Sequence, residues 1–220
     1  TSEWESTNVE DLYFAGVLTH MRDYKKKQTG LIHGFRYNIK ALHQILEYKY
    51  HKQELPHKII ESSPDFLTEA IINRVNNSSG LWQQTGFLCD LIVISEENKD
   101  AKYYEDLPKD YIHNSQFGKC KHYYIVTLEF AHEVDQIQDP FTINRVHKDD
   151  AGKASESVFI HPVIRHYSEN NLIAEHHVIE DLEAEWREEV HVIPLLKFLG
   201  NQLSKKLSVS ALDLNTSTLF

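Results

Sequence analysis

The sequence predicts an α/β fold in two parts, the closing strand and helix of a larger α/β domain followed by a small α+β domain. Three observations lead to this prediction. A short apolar run at residues 12–16 is followed by a charged loop and a helix that glycines open. Apolar, β-branched runs over 87–94, 122–130 and 159–167 predict strands. Helical patterns follow over 175–187 and 194–203.

The opening segment has the layout of a ligand-binding unit. Residues 13–15 suit the end of a buried strand, and Gly16, which lacks a Cβ, lets another group approach the backbone. Gly30 and Gly34 bracket the start of a helix with apolar residues at 35, 39, 42 and 46. The free N–H groups and positive dipole end of a helix suit a phosphate, a carboxylate or an electron-rich carbonyl. The alternative is a packing unit with two glycines at a helix start.

The predicted organisation has four parts. They are a closing strand and helix (1–52), a helical connector (53–80), the small α+β domain (81–203) and a loosely held tail (204–220). Proline restricts the residue before it, so Pro56 ends the first helix and Pro64 begins the second. The charged stretch 96–110 is expected to be exposed. Pro162 predicts an edge or bulged strand over 159–167.

Composition and motif spacing exclude several classes of function. The net charge of −10 argues against nucleic acid, which needs clustered Lys and Arg. No run of about 18 apolar residues predicts a transmembrane segment. The 14 histidines show no H-x-x-x-H spacing, so no metal site is predicted. Hydrolase motifs of the G-x-S-x-G type are absent from the sequence.

The glycines predict that this chain does not bind a dinucleotide alone. None of the 8 glycines forms G-x-G-x-x-G. A dinucleotide needs that first βα turn, because only glycine lets the backbone come so close to the pyrophosphate. We therefore expect the C-terminal piece of a longer polypeptide, with a second chain that carries the glycine-rich turn beside it.

Several motifs taken together resemble a known family. They are residues 4–9, residues 12–16 and above all GLIHGFRYN at residues 30–38, with further likeness in 122–130, 159–163, 177–181, Trp186 and 191–195. They resemble the closing segment of the flavin domain in the FAD-dependent oxidoreductase family. The resemblance implies a Rossmann-like FAD-binding domain that ends here and an oxidoreductase or monooxygenase-like activity. It also implies FAD, with NADPH as a second candidate cofactor, and an N-terminal FAD/NADP-binding portion of the same precursor as partner.

The resemblance places the cofactor contacts in the opening segment. The candidate cofactor-binding residues are Gly16, Val17, Thr19, His20, Leu31, Ile32, His33 and Gly34. His20 and His33 are also the candidate catalytic residues, since an imidazole could tune the ring or shuttle a proton. The alternative for His33 is a plain hydrogen bond to a neighbouring carbonyl. Many such flavoproteins have an acidic residue after the glycine to hold the ribityl chain, whereas Val17 stands here, so backbone groups would take that role.

Cysteines and asparagine triplets bear on the compartment. Cys89 and Cys120 are either one disulfide in an oxidising lumen or two thiols in a reducing cytosol. Asn76, Asn77 and Asn215 each begin a glycosylation triplet. With the resemblance, they favour the endoplasmic reticulum lumen or secretion.

Three functions stay open from the sequence. The first is an NAD(P)H-linked flavin enzyme. The second is a flavin-bearing accessory protein that docks a partner of the secretory pathway. The third is a scaffold whose cofactor site has decayed.

Overall fold

A six-stranded sheet organises the chain. The computed structural model describes residues 1–22, 30–97, 99–131, 139 and 142–216, with 205–216 described by their backbone alone. The strands are β1 (His57–Glu61), β2 (Leu88–Ile94), β3 (Asp100–Pro108), β4 (Tyr123–Glu129), β5 (His161–Ser168) and β6 (Asn171–His177). Their spatial order is β1-β3-β2-β4-β5-β6, and each neighbouring pair is antiparallel.

Helices cover both faces of this sheet. They are α1 (Ile32–His51), α2 (Pro64–Asn77), α3 (Ser79–Gln83), α4 (Lys109–Asn114) and α5 (Glu189–Thr216). Side chains alternate along a strand, so Ile92 packs with α2, α3 and α5, whereas its neighbour Leu91 packs with α1 and α4. The architecture is therefore mixed α/β, as predicted, around an antiparallel sheet.

The predicted buried strand at residues 12–16 is wrong. Tyr13 forms only an isolated bridge with Glu5, and Leu12 and Phe14 are exposed. A buried strand needs hydrogen-bonding neighbours on its edges, and the described strands pair elsewhere. Trp4 instead anchors this segment, with its ring centroid 5.9 Å from that of Phe87. Most of the predicted charged loop, 21–28, lies outside the described residues.

The predicted helix is confirmed, but its buried face is rotated from the predicted one. The inward side chains of α1 are Asn38, Ala41, Leu42 and Ile45, together with Gly34. Ile39, predicted inside, is 41% exposed. The inward face of α1 includes the small residues Gly34 and Ala41, which let the opening segment lie close to the helix. Side-chain bulk alone therefore does not decide which face of α1 is buried.

The segments 53–80 and 96–110 contain strands that the sequence did not predict. Within 53–80, α2 begins at Pro64 with Ser63 as its N-cap, as predicted, but β1 precedes it and pairs with β3. The charged stretch holds β3, and Tyr103 and Leu107 on this strand are buried. Its charges mislead because Lys102 and Glu105 lie at the rim and form ion pairs with residues of the β1 side. The boundaries of the predicted parts stay a prediction.

The predictions for the far end of the sheet hold only in part. Pro162 lies in β5, an inner strand rather than an edge, but the register between β5 and β6 shifts between His166 and Tyr167, as in a bulged strand. The Pro162 carbonyl accepts from the Val178 amide at 2.9 Å just beyond β6, so the missing N–H forfeits only the reciprocal bond at the end of the ladder. The predicted helix over 175–187 is wrong, because β6 continues to His177 and a non-helical segment follows. The predicted helix from Pro194 is confirmed but longer, and α5 includes 204–216 of the predicted tail.

Of the two alternatives for the cysteines, the structure has the two thiols and not the disulfide. Cys89 and Cys120 are free thiols. The Cys89 thiol lies inside β2 and donates to the Leu107 carbonyl at 3.3 Å, whereas Cys120 lies at the surface end of a short helix. Burial raises the pKa of both thiols, which keeps them protonated and unreactive at neutral pH.

Substituting Gly118 with alanine is expected to destabilise the fold by about 1–3 kcal/mol. An added Cβ would lie 2.6 Å from the His113 carbonyl oxygen and from the Asn170 amide. That amide cannot move freely, since it donates to His113 at 2.8 Å and accepts from the Tyr123 hydroxyl at 2.9 Å. Urea unfolding measures the loss. The matched control is Gly152→Ala, whose nearest contact would be 3.9 Å; equal losses in both variants would contradict the steric argument.

Candidate functional site

Gly16 combines a positive φ angle with space beside its Cα atom that no described residue fills. It begins a 3₁₀ helix, Gly16–Arg22, that packs against α1. Its φ is 64°, a conformation that glycine adopts without strain, and no atom of the described residues lies within 4 Å of the place where a Cβ would be. Within the described part of the chain, the backbone here is therefore accessible to another group.

The start of α1 is uncapped by side chains. Leu31 is the N-cap residue and provides no side-chain hydrogen bond, while its carbonyl accepts from the amides of Gly34 and Phe35 at 2.9 Å. The first turn has no acidic residue. Ile32 is 67% exposed and His33 is also exposed, so the positive end of a 20-residue helix faces outward without a neutralising side chain.

Thr19 and Asn38 connect these two elements. Both are completely buried. The Thr19 hydroxyl donates to the Gly16 carbonyl at 2.8 Å, and the Asn38 amide donates to the Thr19 oxygen at 3.1 Å. The sequence reasoning included Thr19 but missed Asn38. The available signal was a polar residue between Gly34 and Ala41 on the inward face of a helix.

The structure separates the two candidate histidines. The His20 ring is half-buried and lies 3.6 Å from where a Cβ of Gly30 would be, so it covers the entry to α1. His33 is exposed on the first turn. Gly34 is buried on the same face as Asn38. Of the predicted contacts, then, Thr19 and Gly34 are buried where the 3₁₀ helix meets α1, whereas Gly16 borders space left open by the described residues.

Exposed apolar side chains are concentrated in residues 9–21 and 31–32, which include this region. Met21 is 78% exposed, the highest value among the large apolar residues of the opening segment. The exposed apolar residues are Val9, Leu12, Phe14, Val17, Leu18, Met21, Leu31 and Ile32. Single exposed apolar residues are common, whereas a concentration of them in one short segment marks a contact surface. We call these eight residues the opening apolar surface.

Other polar features of the chain lie away from this surface. His161 donates through Nδ1 to the Phe159 carbonyl at 2.8 Å, so its Nε2 accepts from His177 Nδ1 at 2.9 Å. His177 Nε2 lies 2.8 Å from Glu175. These imidazoles pair with each other. In the described part of the chain, no group of three or more His, Cys, Asp or Glu side chains is arranged to hold a metal ion.

Two surface concavities are lined by residues other than those around Gly16. One, of about 150 Å³, lies between α1, β1 and β3 and is lined by Lys40, His57 and Tyr103 among others. The other, of about 410 Å³, has an acidic lining that includes Asp181 and Glu188. No described helix combines the length and apolar character needed to cross a membrane.

The candidate glycosylation asparagines differ in their surroundings. The Asn76 amide donates to the Ile72 carbonyl at 2.7 Å and its oxygen accepts from the Trp186 backbone amide at 2.9 Å. A glycan there would break both bonds. Asn77 is exposed at the end of α2, and Asn215 lies where only the backbone is described. Asn77 is therefore the most accessible candidate of the first pair.

Comparison with known proteins finds two vertebrate relatives, each called FAD-dependent oxidoreductase domain-containing protein 2. The mouse protein is 30% identical over 230 aligned positions, which cover 94% of this chain and 34% of the mouse protein. The zebrafish protein is 29% identical over 227 positions, which cover 94% of this chain and 32% of that protein. The chain thus spans about a third of the length of these relatives. No family model and no solved structure matches it.

Proposed function

We propose that this chain, whose two relatives support the FAD-dependent oxidoreductase family, forms the part of a flavoprotein that closes over the flavin ring. A FAD- and NADP-binding portion of the same precursor would hold the rest of the cofactor. The observation that carries the proposal is the open backbone at Gly16 beside the uncapped start of α1.

The residues present fit a flavin at this place. FAD would supply the electron transfer, and the chain would supply orientation and electrostatics. A flavin ring gains negative charge at its N1–C2=O edge on reduction. The amides of Ile32 and His33 and the positive end of α1 suit that edge, and no acidic residue in the first turn opposes it. Gly16 would let the ring approach the backbone without a side chain between them.

The opening apolar surface supports the proposed partner. Eight large apolar side chains, of which Met21 and Ile32 are the most exposed, would be covered by the FAD-binding portion of the precursor. The relatives are about three times as long as this chain, which leaves room for such a portion. Burial of this surface would exclude water from the ring.

The proposal also includes the electron donor of the flavoprotein and the compartment in which the protein lies. NADPH as donor, a monooxygenase-like reaction, and a place in the endoplasmic reticulum lumen or outside the cell follow from the resemblance. The accessible Asn77 is compatible with a glycoprotein. The second candidate function, an accessory flavoprotein in endoplasmic-reticulum-associated degradation, differs by the absence of turnover.

The test is the visible spectrum of the holoprotein, in which this chain is assembled with the FAD-binding portion. The enzyme predicts absorbance near 450 nm that NADPH bleaches under nitrogen. A yellow protein that NADPH never bleaches would support the accessory function. A colourless protein that releases no flavin on denaturation would leave only the decayed scaffold and overturn the proposal.

Gly16→Ala separates folding from cofactor binding. Among the described residues the new Cβ meets no atom within 4 Å, so we expect only about 1 kcal/mol of lost stability from the positive φ. In the holoprotein the new methyl group would push the ring away, and flavin retention is expected to fall at least tenfold, measured by flavin release on dilution. Unchanged retention would show that Gly16 does not contact the ring.

A further inference from the structure

Thr19 and Asn38 fix one peptide group of the proposed site. The Thr19 hydroxyl uses its proton on the Gly16 carbonyl, and its oxygen accepts from Asn38. This pulls the Gly16 carbonyl inward, toward the buried face of α1. In a trans peptide the C=O and the following N–H point in opposite directions, and this chain has no cis peptide bond among its described residues. The Val17 N–H is therefore directed away from Thr19 and Asn38.

The direction of that N–H matters because the space beside it is open. Val17 is 54% exposed, and none of the residues that the structure describes lies within 4 Å of the Cβ position at Gly16. The buried pair thus holds a backbone donor toward the side on which the flavin ring is proposed. We propose that Thr19 and Asn38 are positioning residues, which act through the Gly16–Val17 peptide on the flavin. This inference rests on the proposed function.

The unpaired oxygen of Asn38 argues against a purely stabilising role. Asn38 is completely buried, and its Oδ1 has no hydrogen-bond partner in the described structure. A buried acceptor without a partner destabilises a fold, and an apolar residue of similar size would avoid that loss. In natural proteins, such destabilising features as a buried polar atom without a partner occur mostly at functional sites. Asn38 is used here to orient Thr19.

The test compares Thr19→Val with Thr19→Ser in the flavin-loaded holoprotein. Valine keeps the shape of threonine but removes both hydrogen bonds, whereas serine keeps the hydroxyl. We expect Thr19→Val to weaken flavin binding about tenfold, since one backbone donor is misdirected. Its midpoint potential should become more negative, because a donor near the reduced ring is lost. Thr19→Ser should restore both values.

The flavin affinity and the midpoint potential of these variants decide whether Thr19 and Asn38 act on the flavin. Wild-type affinity and potential in Thr19→Val would overturn the proposal, even if the thermal midpoint falls, because only stability would then depend on the pair. If Thr19→Val does not fold, Asn38→Leu replaces it, with a shift of potential in the same direction expected and an unchanged potential contradicting the inference. A wild-type protein without flavin would overturn the proposed function itself, and this inference with it.

Discussion

Replacement of Arg74 by methionine is expected to lower the free energy of unfolding by about 3–5 kcal/mol, the largest effect we predict for one substitution. Arg74 on α2 reaches Asp90 on β2 with two bonds, of 2.6 Å from Nε and 3.0 Å from Nη2. A third bond, of 3.1 Å, joins Nη2 to Asp106. Asp90 is completely buried, so the loss of its partner leaves an uncompensated charge inside the protein.

The remaining partners of Asp90 do not replace the arginine. The Tyr103 hydroxyl and the Asp106 amide donate to it, each at 3.0 Å, but both are neutral. Burial raises the pKa of Asp90 even with Arg74 opposing the shift. Without Arg74 the carboxyl would take up a proton on folding, and this limits the loss to a few kcal/mol.

Two further variants separate this explanation from a general packing defect. Asp90→Asn added to Arg74→Met should recover more than half of the loss, since the buried charge is gone. The matched control is Lys58→Met, which breaks a 2.6 Å ion pair with Glu105 from a side chain that is 70% exposed. Its expected loss in urea unfolding is below about 1 kcal/mol. Similar losses for Arg74→Met and Lys58→Met would contradict the buried-charge account.

Acidification is expected to destabilise the β6 side of the sheet well before the carboxylates titrate. Burial lowers the pKa of His176 from 6.5 to about 4, and His177 beside it adds to the shift. Burial also lowers the pKa of His161 and of His191. In the unfolded chain these groups bind protons near pH 6.5, whereas the folded protein holds them neutral. The stability that these neutral histidines contribute is thus complete above pH 6.5 and is lost as the pH falls toward 4.

The loss due to His176 can be isolated. Between pH 7 and pH 5 we expect roughly 1–2 kcal/mol from this residue, a value discounted for its partial exposure. His176→Phe should flatten the pH dependence in that range, because a phenyl ring keeps the stacking on Phe198, at 5.2 Å between ring centroids, without a group that titrates. His43→Gln, at an exposed position, should leave it unchanged. Parallel curves for wild type and His176→Phe would contradict this assignment.

Glu129 does not contribute to the pH dependence in this range. Burial opposes the shift, but Arg165 holds the pKa of Glu129 at about 2. A carboxyl with a lowered pKa contributes stability that is lost only as the pH falls below about 4.5 toward 2. Asp90, whose pKa burial raises, would instead gain stability on acidification, so a decrease between pH 7 and pH 5 reports the histidines.

Sequence patterns predicted correctly those helices and strands whose local pattern of apolar and polar residues agrees with their burial in the folded chain. The strands β2 and β4 are apolar on both faces because helices cover both, and α2 has its Ser-Pro start. The sequence-based prediction failed where contacts between distant segments decide the secondary structure. The charges of β3 hide a buried strand, and the helix-like spacing of Val178, Leu182 and Trp186 follows a strand instead.

The same contrast holds in the candidate site. The glycines at Gly16, Gly30 and Gly34 could be singled out, since they need only local chain geometry and one motif. The apolar residues 12–16 could not be placed, because a strand forms only with a neighbour, and the described strands leave them exposed. Asn38 could not be assigned a role either, because its partner Thr19 is 19 positions away and only the folded chain joins them.

The central claim is that the backbone at Gly16 and the start of α1 close over a flavin held mainly by another portion of the precursor. Amide hydrogen exchange of the holoprotein, with flavin bound and after its removal, tests this most directly. The account predicts that removal of flavin speeds exchange at residues 16–19 and 31–34 while β2 stays protected. Unchanged exchange in both segments, in a protein that demonstrably loses its flavin, would contradict it.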